Sequence, residues 1–165
     1  MEGWGARLRR IVLSGILFTW FMLAVAGDDV SGADVQALAA FRSNDYQTAS
    51  REFKKLAENG QAEAQRYLGI MYDKGLGVSQ NYQEAVSWYQ RAAEQKDPAA
   101  QYHLGLKYAN GHGVPEDQIQ AYIWFALSFN NGYEMAADPL RVLNKSLSTR
   151  ERQQALRIVA QEMEQ

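Results

Sequence analysis

The chain has 165 residues, with 17 Lys and Arg against 19 Asp and Glu, 47% hydrophobic and 12% aromatic residues, 3 Pro and no Cys. Disulfide frameworks and thiolate chemistry are therefore excluded, and a formal net charge of −2 gives no composition-level basis for nucleic-acid binding. Length and aromatic content fit one folded domain with an ordinary core rather than a disordered chain.

The first expected element is a secretory signal over residues 1–26. Arg7, Arg9 and Arg10 stand against one acid, Glu2, ahead of an uncharged run from Ile11 to Ala26 that ends in Ala24-Val25-Ala26, an A-x-A cleavage pattern. The 16-residue run is shorter than the roughly 20 residues a spanning helix needs, so cleavage after Ala26 and a periplasmic or secreted body are expected. Left uncleaved, the same run is a membrane anchor with its basic residues inside. Residues 1–26 carry +2, so the remainder carries −4, a mildly acidic body.

From Ala33 to Arg42 the chain is apolar and helix-favouring, with Ala37 as the small residue at a helix crossing; Tyr46, Ala49, Phe53 and Ala57 mark a second helix. A shift of 36 residues carries Tyr46, Ala49, Phe53 and Ala57 onto Tyr82, Ala85, Tyr89 and Ala93. The same shift lays residues 62–97 on 98–133 with identities at Ala64, Gln65, Leu68, Gly69, Tyr72, Gly75, Gly77, Val78, Ala85 and Trp88. Internal repeats of this period signal stacked helix pairs. The first helix of the second unit follows Ala64, Leu68, Met71 and Tyr72 and stops at Lys74-Gly75; the second opens at the cap residue Asn81, repeated as Asp117. Asp97-Pro98 is a cap-plus-proline start. Ala37 to Ala49 is 12 residues, whereas Gly69 to Ala85 and Gly105 to Ala121 are both 16, so the first unit has a loop four residues shorter.

Gly69 and Gly105 are the expected close approaches, facing Ala85 and Ala121 across the helix crossing, while Leu68, Trp88, Tyr89, Leu104, Trp124 and Phe125 fill the core. Gly75, Gly77, Gly111 and Gly113 are expected at positive φ, after which Val78 and Val114 turn back to the core. Beyond Gly132, Asp138-Pro139 reads as a further helix start. Ser148-Thr-Arg-Glu151 is a capping box ahead of a helix carrying Ala155, Leu156, Val159 and Met163 on one face. The expected organisation is a signal segment at 1–26, a repeat array at 27–132 with units of about 30–61, 62–97 and 98–132, and capping helices at 133–165.

Leu-Gly-x-x-Tyr-x-x-Gly-x-Gly-Val, at Leu68 to Val78 and again with Tyr108 at Leu104 to Val114, followed by Ala-x-x-Trp-[Tyr/Phe], resembles the Sel-like repeat, a branch of the tetratricopeptide repeat superfamily. Asn44-Asp45-Tyr46-x-x-Ala49 with Phe53 resembles an ordinary tetratricopeptide unit. Ser128-Phe129 departs from the family's small Ala-Ala and suits an end repeat meeting something bulkier. The resemblance implies an all-α, right-handed α/α solenoid of helix pairs with a C-terminal helical cap. It puts the first helix of each unit on a concave side, with Leu38, Phe41, Arg42, Glu63, Arg66, Ile70, Asp73, Tyr102, Leu106 and Asn110 as the candidate groove for a protein or peptide. Replacing Arg66 and Tyr102 by Ala is expected to leave melting nearly unchanged.

No catalytic motif is present: there is no Gly-x-Ser-x-Gly, Ser-x-x-Lys, His-Glu-x-x-His or P-loop. His103 and His112 lack a third ligand at metal spacing and read as surface or loop residues. Gly75-Leu-Gly77 and Gly111-His-Gly113 read as turns rather than phosphate cradles. The expectation is thus an exported, non-catalytic interaction module in the bacterial envelope, without cofactor, metal, nucleic acid or small-molecule ligand. The alternatives are a secreted enzyme of the β-lactam-binding type, whose relatives lean on cysteine pairs missing here, and a membrane-tethered structural accessory.

Overall fold

The computed structural model describes residues 32–164; the expected signal segment lies outside them. Every regular element among the described residues is helical. Three pairs come first: α1 (Gly32–Arg42) with α2 (Tyr46–Glu58), α3 (Ala62–Lys74) with α4 (Tyr82–Glu94), and α5 (Pro98–Asn110) with α6 (Gln118–Asn130). A 3-10 turn (Glu134–Ala136), α7 (Ala137–Ser146) and α8 (Thr149–Met163) follow. Each helix of the pairs packs on the next in sequence, and α6 is covered by α7 and α8. This is a helix-pair solenoid closed by two further helices.

Local chemistry sets the helix ends. The Asn81 side chain accepts from the backbone N–H groups of Gln83 and Glu84, and the Asp117 side chain from Ile119 and Gln120. Asp97 accepts from Ala100 with Pro98 at the start of α5, and Ser148 with Glu151 forms a reciprocal capping box on α8. At the other ends, Gly75 (φ 70°) and Gly111 (φ 66°) close α3 and α5 in the left-handed region. The loop between α1 and α2 spans residues 43–45, while those between α3 and α4 and between α5 and α6 span 75–81 and 111–117, which is the four-residue difference. Asn44, at φ 62°, makes the tight turn of the short loop.

Two glycine contacts define the packing. A Cβ at Gly69 would fall 2.7 Å from carbons of the Tyr89 ring, and one at Gly105 would fall 2.8 Å from carbons of Phe125, so each ring of the second helix lies directly on the first. Between units the backbones interlock: a Cβ at Gly77 would sit 2.0 Å from the Tyr46 carbonyl oxygen, and one at Gly113 2.4 Å from that of Tyr82. The seven-residue loops therefore rest on the helix starts of the preceding unit, and the glycines there serve close approach as well as positive φ. A buried polar contact also repeats: Gln65 Nε2 donates to the Ala57 carbonyl and Gln101 Nε2 to that of Ala93, both at 3.1 Å.

Three expectations are corrected. α7 begins at Ala137, one residue before Asp138, with Pro139 in the first turn, where its missing N–H has no helical acceptor to lose. On α8, Ala155 and Val159 are buried but Leu156 and Met163 are 50% and 55% exposed, because α6 needs only a narrow covering stripe. Ser128 is fully buried and donates to the Pro98 carbonyl at 2.6 Å, whereas Phe129 is 46% exposed, so the bulkier residue of the pair is the one left largely in solvent.

Candidate interaction face

The first helices of successive units are bridged side chain to side chain. Phe41 on α1 meets the Tyr67 ring on α3 edge-on at 5.2 Å. Arg66 on α3 donates from Nε to Asp97 Oδ2 at 3.0 Å and from Nη2 to Glu63 at 3.1 Å, and stands over the Tyr67 ring. Asp73, at the far end of α3, accepts from Lys107 Nζ of α5. α1, α3 and α5 thus line up along one side, each linked to the next.

Tyr89 reaches this side from α4. Its ring lies on Gly69, and its hydroxyl is buried without a hydrogen-bond partner among the described residues. The His103 ring of α5 stacks on it at 5.0 Å and 11°. His103 makes no hydrogen bond among the described residues and is half-buried. Burial pushes the His103 imidazole down to about 4, with the cations of Arg66, Lys107 and Lys74 acting in the same sense and Asp73 against it. Burial, then the charge of Asp73, pushes the Tyr89 phenol up, so it stays protonated. Burial opposes the charge of Arg66, but Asp97, by charge and hydrogen bond, outweighs it and holds the guanidinium above its ordinary value.

The ten groove residues fall into distinct settings. Leu38 and Glu63 share an open groove of about 290 Å³ with Asp34, Phe53, Leu56 and Gln61. Phe41 is half-buried among Tyr46, Phe53 and Tyr67, and Arg42 is exposed. Ile70 packs partly against the α4–α5 core, and Leu106 partly against the α6–α8 core. Tyr102 is ringed by His103, Phe125 and Tyr133, and exposed Asn110 turns back to donate to the Leu106 carbonyl at 2.8 Å. Arg66 and Asp73 are ion-paired across the joint between units. The expectation that Arg66 is replaceable without structural cost is therefore corrected: its partner Asp97 also caps α5.

Sequence reasoning took Asp97 as a helix cap only and His103 as a surface residue, and passed over Lys107 and the Tyr89 hydroxyl. His103 is a half-buried group stacked on Tyr89 rather than a free surface residue, and His112 in its loop stacks on Tyr82 at 5.0 Å. The signal for all four lies in the differences between repeats rather than in their identities. No helix among the described residues is long and apolar enough to cross a membrane.

The comparisons agree with this architecture. Residues 62–97 and 98–133 each match the Sel1 repeat model. A protective antigen of uropathogenic Escherichia coli strains, solved with an SLR fold, is 31% identical with a TM-score of 0.76, over 88% of this chain and 32% of its own. A Sel1 repeat protein from Oxalobacter formigenes is 28% identical with a TM-score of 0.61, over 78% of this chain and 58% of its own. The chain thus spans about a third of the first structure's length and less than two thirds of the second's. No curated protein matches it.

Proposed function

From its place among the Sel1-repeat proteins, which are generally protein-interaction modules, we propose that this chain is an exported, non-catalytic adaptor or regulator of the bacterial envelope. It holds a protein or peptide along the side formed by α1, α3 and α5. The observation that carries this reading is the linked face itself: half-buried aromatic and apolar groups (Phe41, Ile70, Tyr102, Leu106) alternate with charged ones (Arg42, Glu63, Arg66, Asp73) on three aligned helices. That mixture is typical of recognition patches. The basic start, apolar run and Ala24-Val25-Ala26 site support export.

Site-specific photocrosslinking in the native envelope tests the module. A crosslinker at Ile70 or Leu106 should trap a discrete partner, whereas one at Gln90, exposed on α4, should not; equal trapping from both sides refutes the assigned face. N-terminal sequencing of the exported protein tests cleavage, with Gly27 expected first and an intact N-terminus favouring the tether.

A further inference from the structure

The joints along the array can be compared position by position, counting from the small buried residue at each helix crossing: Ala37, Gly69 and Gly105. Three residues before it stand Asp34, Arg66 and Tyr102, and the element that follows each pair is headed by Gln61, Asp97 and Tyr133. At the second joint these two positions meet, because Arg66 Nε donates to Asp97 Oδ2 at 3.0 Å. At the third they meet again, as the Tyr102 and Tyr133 rings 5.3 Å apart. At the first joint the short Asp34 side chain takes the place of Arg66 or Tyr102, and there an open groove of about 290 Å³ lies, lined by Asp34 and Gln61.

The walls of this groove define what complements them. Phe53 and Leu56 are buried in it and Leu38 half-buried, an apolar bed, while Asp34 from α1 and Glu63 from α3 add carboxylates. With the ion pairs counted, the charge here stays negative: Asp34, Glu63 and Asp97 stand against the one guanidinium of Arg66, which serves both Glu63 and Asp97. Among the described residues no cation lines the groove, and the lysines beside Phe53 and Leu56 on α2, Lys54 and Lys55, are paired with Glu58 and Glu52. An anion would face that excess of carboxylates; a cation on an apolar stem complements both bed and rim. The chain itself shows the fit one joint further on, where Arg66 is half-buried with its guanidinium held by Glu63 at 3.1 Å and Asp97 at 3.0 Å. The residues just ahead of α1 include the acids Asp28 and Asp29 and no base from Gly27 onwards, so they do not supply such a cation.

We propose that the groove at the first joint is an arginine subsite of the interaction face: the methylenes of an arginine from the bound segment lie on Leu38, Phe53 and Leu56, and its guanidinium donates to Asp34 and Glu63. The inference rests on the module reading above and specifies its partner as a segment that presents an arginine. Glu63 takes the second guanidinium without releasing the first, since Arg66 holds its Oε1 and a carboxylate accepts at both oxygens. The planar fork of arginine suits two carboxylates on neighbouring helices better than the point charge of lysine.

Nuclear magnetic resonance of the exported protein tests this, read at the backbone amides of residues 61–64 with Gln90, exposed on α4, as the reference. Three tripeptides capped at both ends are titrated: Ala-Arg-Ala; Ala-citrulline-Ala, of the same shape but uncharged; and Ala-Leu-Ala. Ala-Arg-Ala is expected to shift the groove amides saturably and leave Gln90 unmoved, with the two neutral peptides weaker by about tenfold or more. Asp34→Asn keeps the shape of the wall and should weaken Ala-Arg-Ala by about tenfold, the loss of one hydrogen bond between charged groups. No saturable shift, an equal response to either neutral peptide, or an undiminished response in Asp34→Asn overturns the subsite. The pair Asp34→Arg and Gln61→Asp copies the Arg66–Asp97 bridge into the first joint and fills the groove; Gln61 makes no side-chain cap bond on α3, so none is lost. That chain should keep its helicity by circular dichroism and lose the response to Ala-Arg-Ala. It also separates the two readings. Partner crosslinking from Ile70 that survives in it undiminished overturns the subsite and leaves the module standing, whereas no crosslinking even in the unaltered chain counts against the module, with the peptide titration still deciding the groove.

Discussion

Gly105→Ala sets two effects of similar size against each other. Within a helix, Ala is favoured over Gly by about 1 kcal/mol, so an uncrowded site would be stabilised. The new methyl, however, would lie 2.8 Å from two carbons of the Phe125 ring and 3.1 Å from a third. Carbon contacts are comfortable at about 3.5–4.0 Å, so the ring or the helix must retreat by roughly 0.7 Å or more. Phe125 is 1% exposed and its ring abuts Tyr102 at 5.6 Å, which leaves little room behind it. Overpacking of this kind costs about 1–3 kcal/mol. The net expectation is destabilisation by about 1 kcal/mol, rising to about 3 kcal/mol for Gly105→Leu.

Urea denaturation followed by far-ultraviolet circular dichroism reads both values, provided the slope with denaturant is unchanged. The companion Phe125→Leu shortens the opposing side chain, so the double variant should lose less stability than the two single losses summed. Stabilisation of Gly105→Ala by the full helix-propensity gain of about 1 kcal/mol would show that the ring yields freely, and the crossing argument would fail.

Lys96, at φ 64°, stands where the neighbouring units place Gly60 and Gly132, so Lys96→Gly should raise stability by about 1 kcal/mol in the same denaturation assay. Asp97→Ala removes both the α5 cap and the Arg66 pair and should cost about 1–2 kcal/mol, whereas Asp97→Asn keeps the cap and should cost less; equal losses would contradict the capping role. His103, depressed to about 4 when folded against about 6.5 unfolded, takes its proton preferentially in the unfolded chain. Stability should therefore fall as pH drops from about 6.5 towards 4, by up to about 3 kcal/mol, and His103→Tyr should flatten that window in pH-dependent melting.

The repeat identities made the scaffold legible. Gly69 and Gly105 mark positions where a facing ring leaves no room for a Cβ, Gly75 and Gly111 mark turns at positive φ, and the caps Asn81, Asp97 and Asp117 mark helix starts, so periodicity and local propensity pointed to the same fold. The C-terminal helices were legible only in part. The capping box located α8, but apolar residues at helical spacing did not separate the buried Ala155 and Val159 from exposed Leu156 and Met163, because that depends on how much of α6 requires cover. On the interaction face, helix position alone presented Arg66 and Asp73 as free charges. Their partners Asp97 and Lys107 lie 31 and 34 residues away, a separation set by the stacking of units and invisible to local pattern.

The same stacking explains how the chain tolerates a polar joint in its middle. In a solenoid each interface contributes almost independently, so a costly joint survives if those beside it are sound. On one side Ala37, Phe53 and Met71 close an apolar contact; on the other Phe125, Leu127, Leu143 and Val159 close another. Copying the first joint into the second replaces an unpaired hydroxyl and an ion pair with packed apolar groups, exchanges that are often neutral or stabilising. A chain carrying Asp73→Phe, Tyr89→Phe, His103→Tyr and Lys107→Met, the residues at the equivalent positions of the first joint, should therefore melt no lower than the original. Loss of stability on that exchange would mean that the polar groups hold the units together and would refute the view that the neighbouring joints carry a costly one.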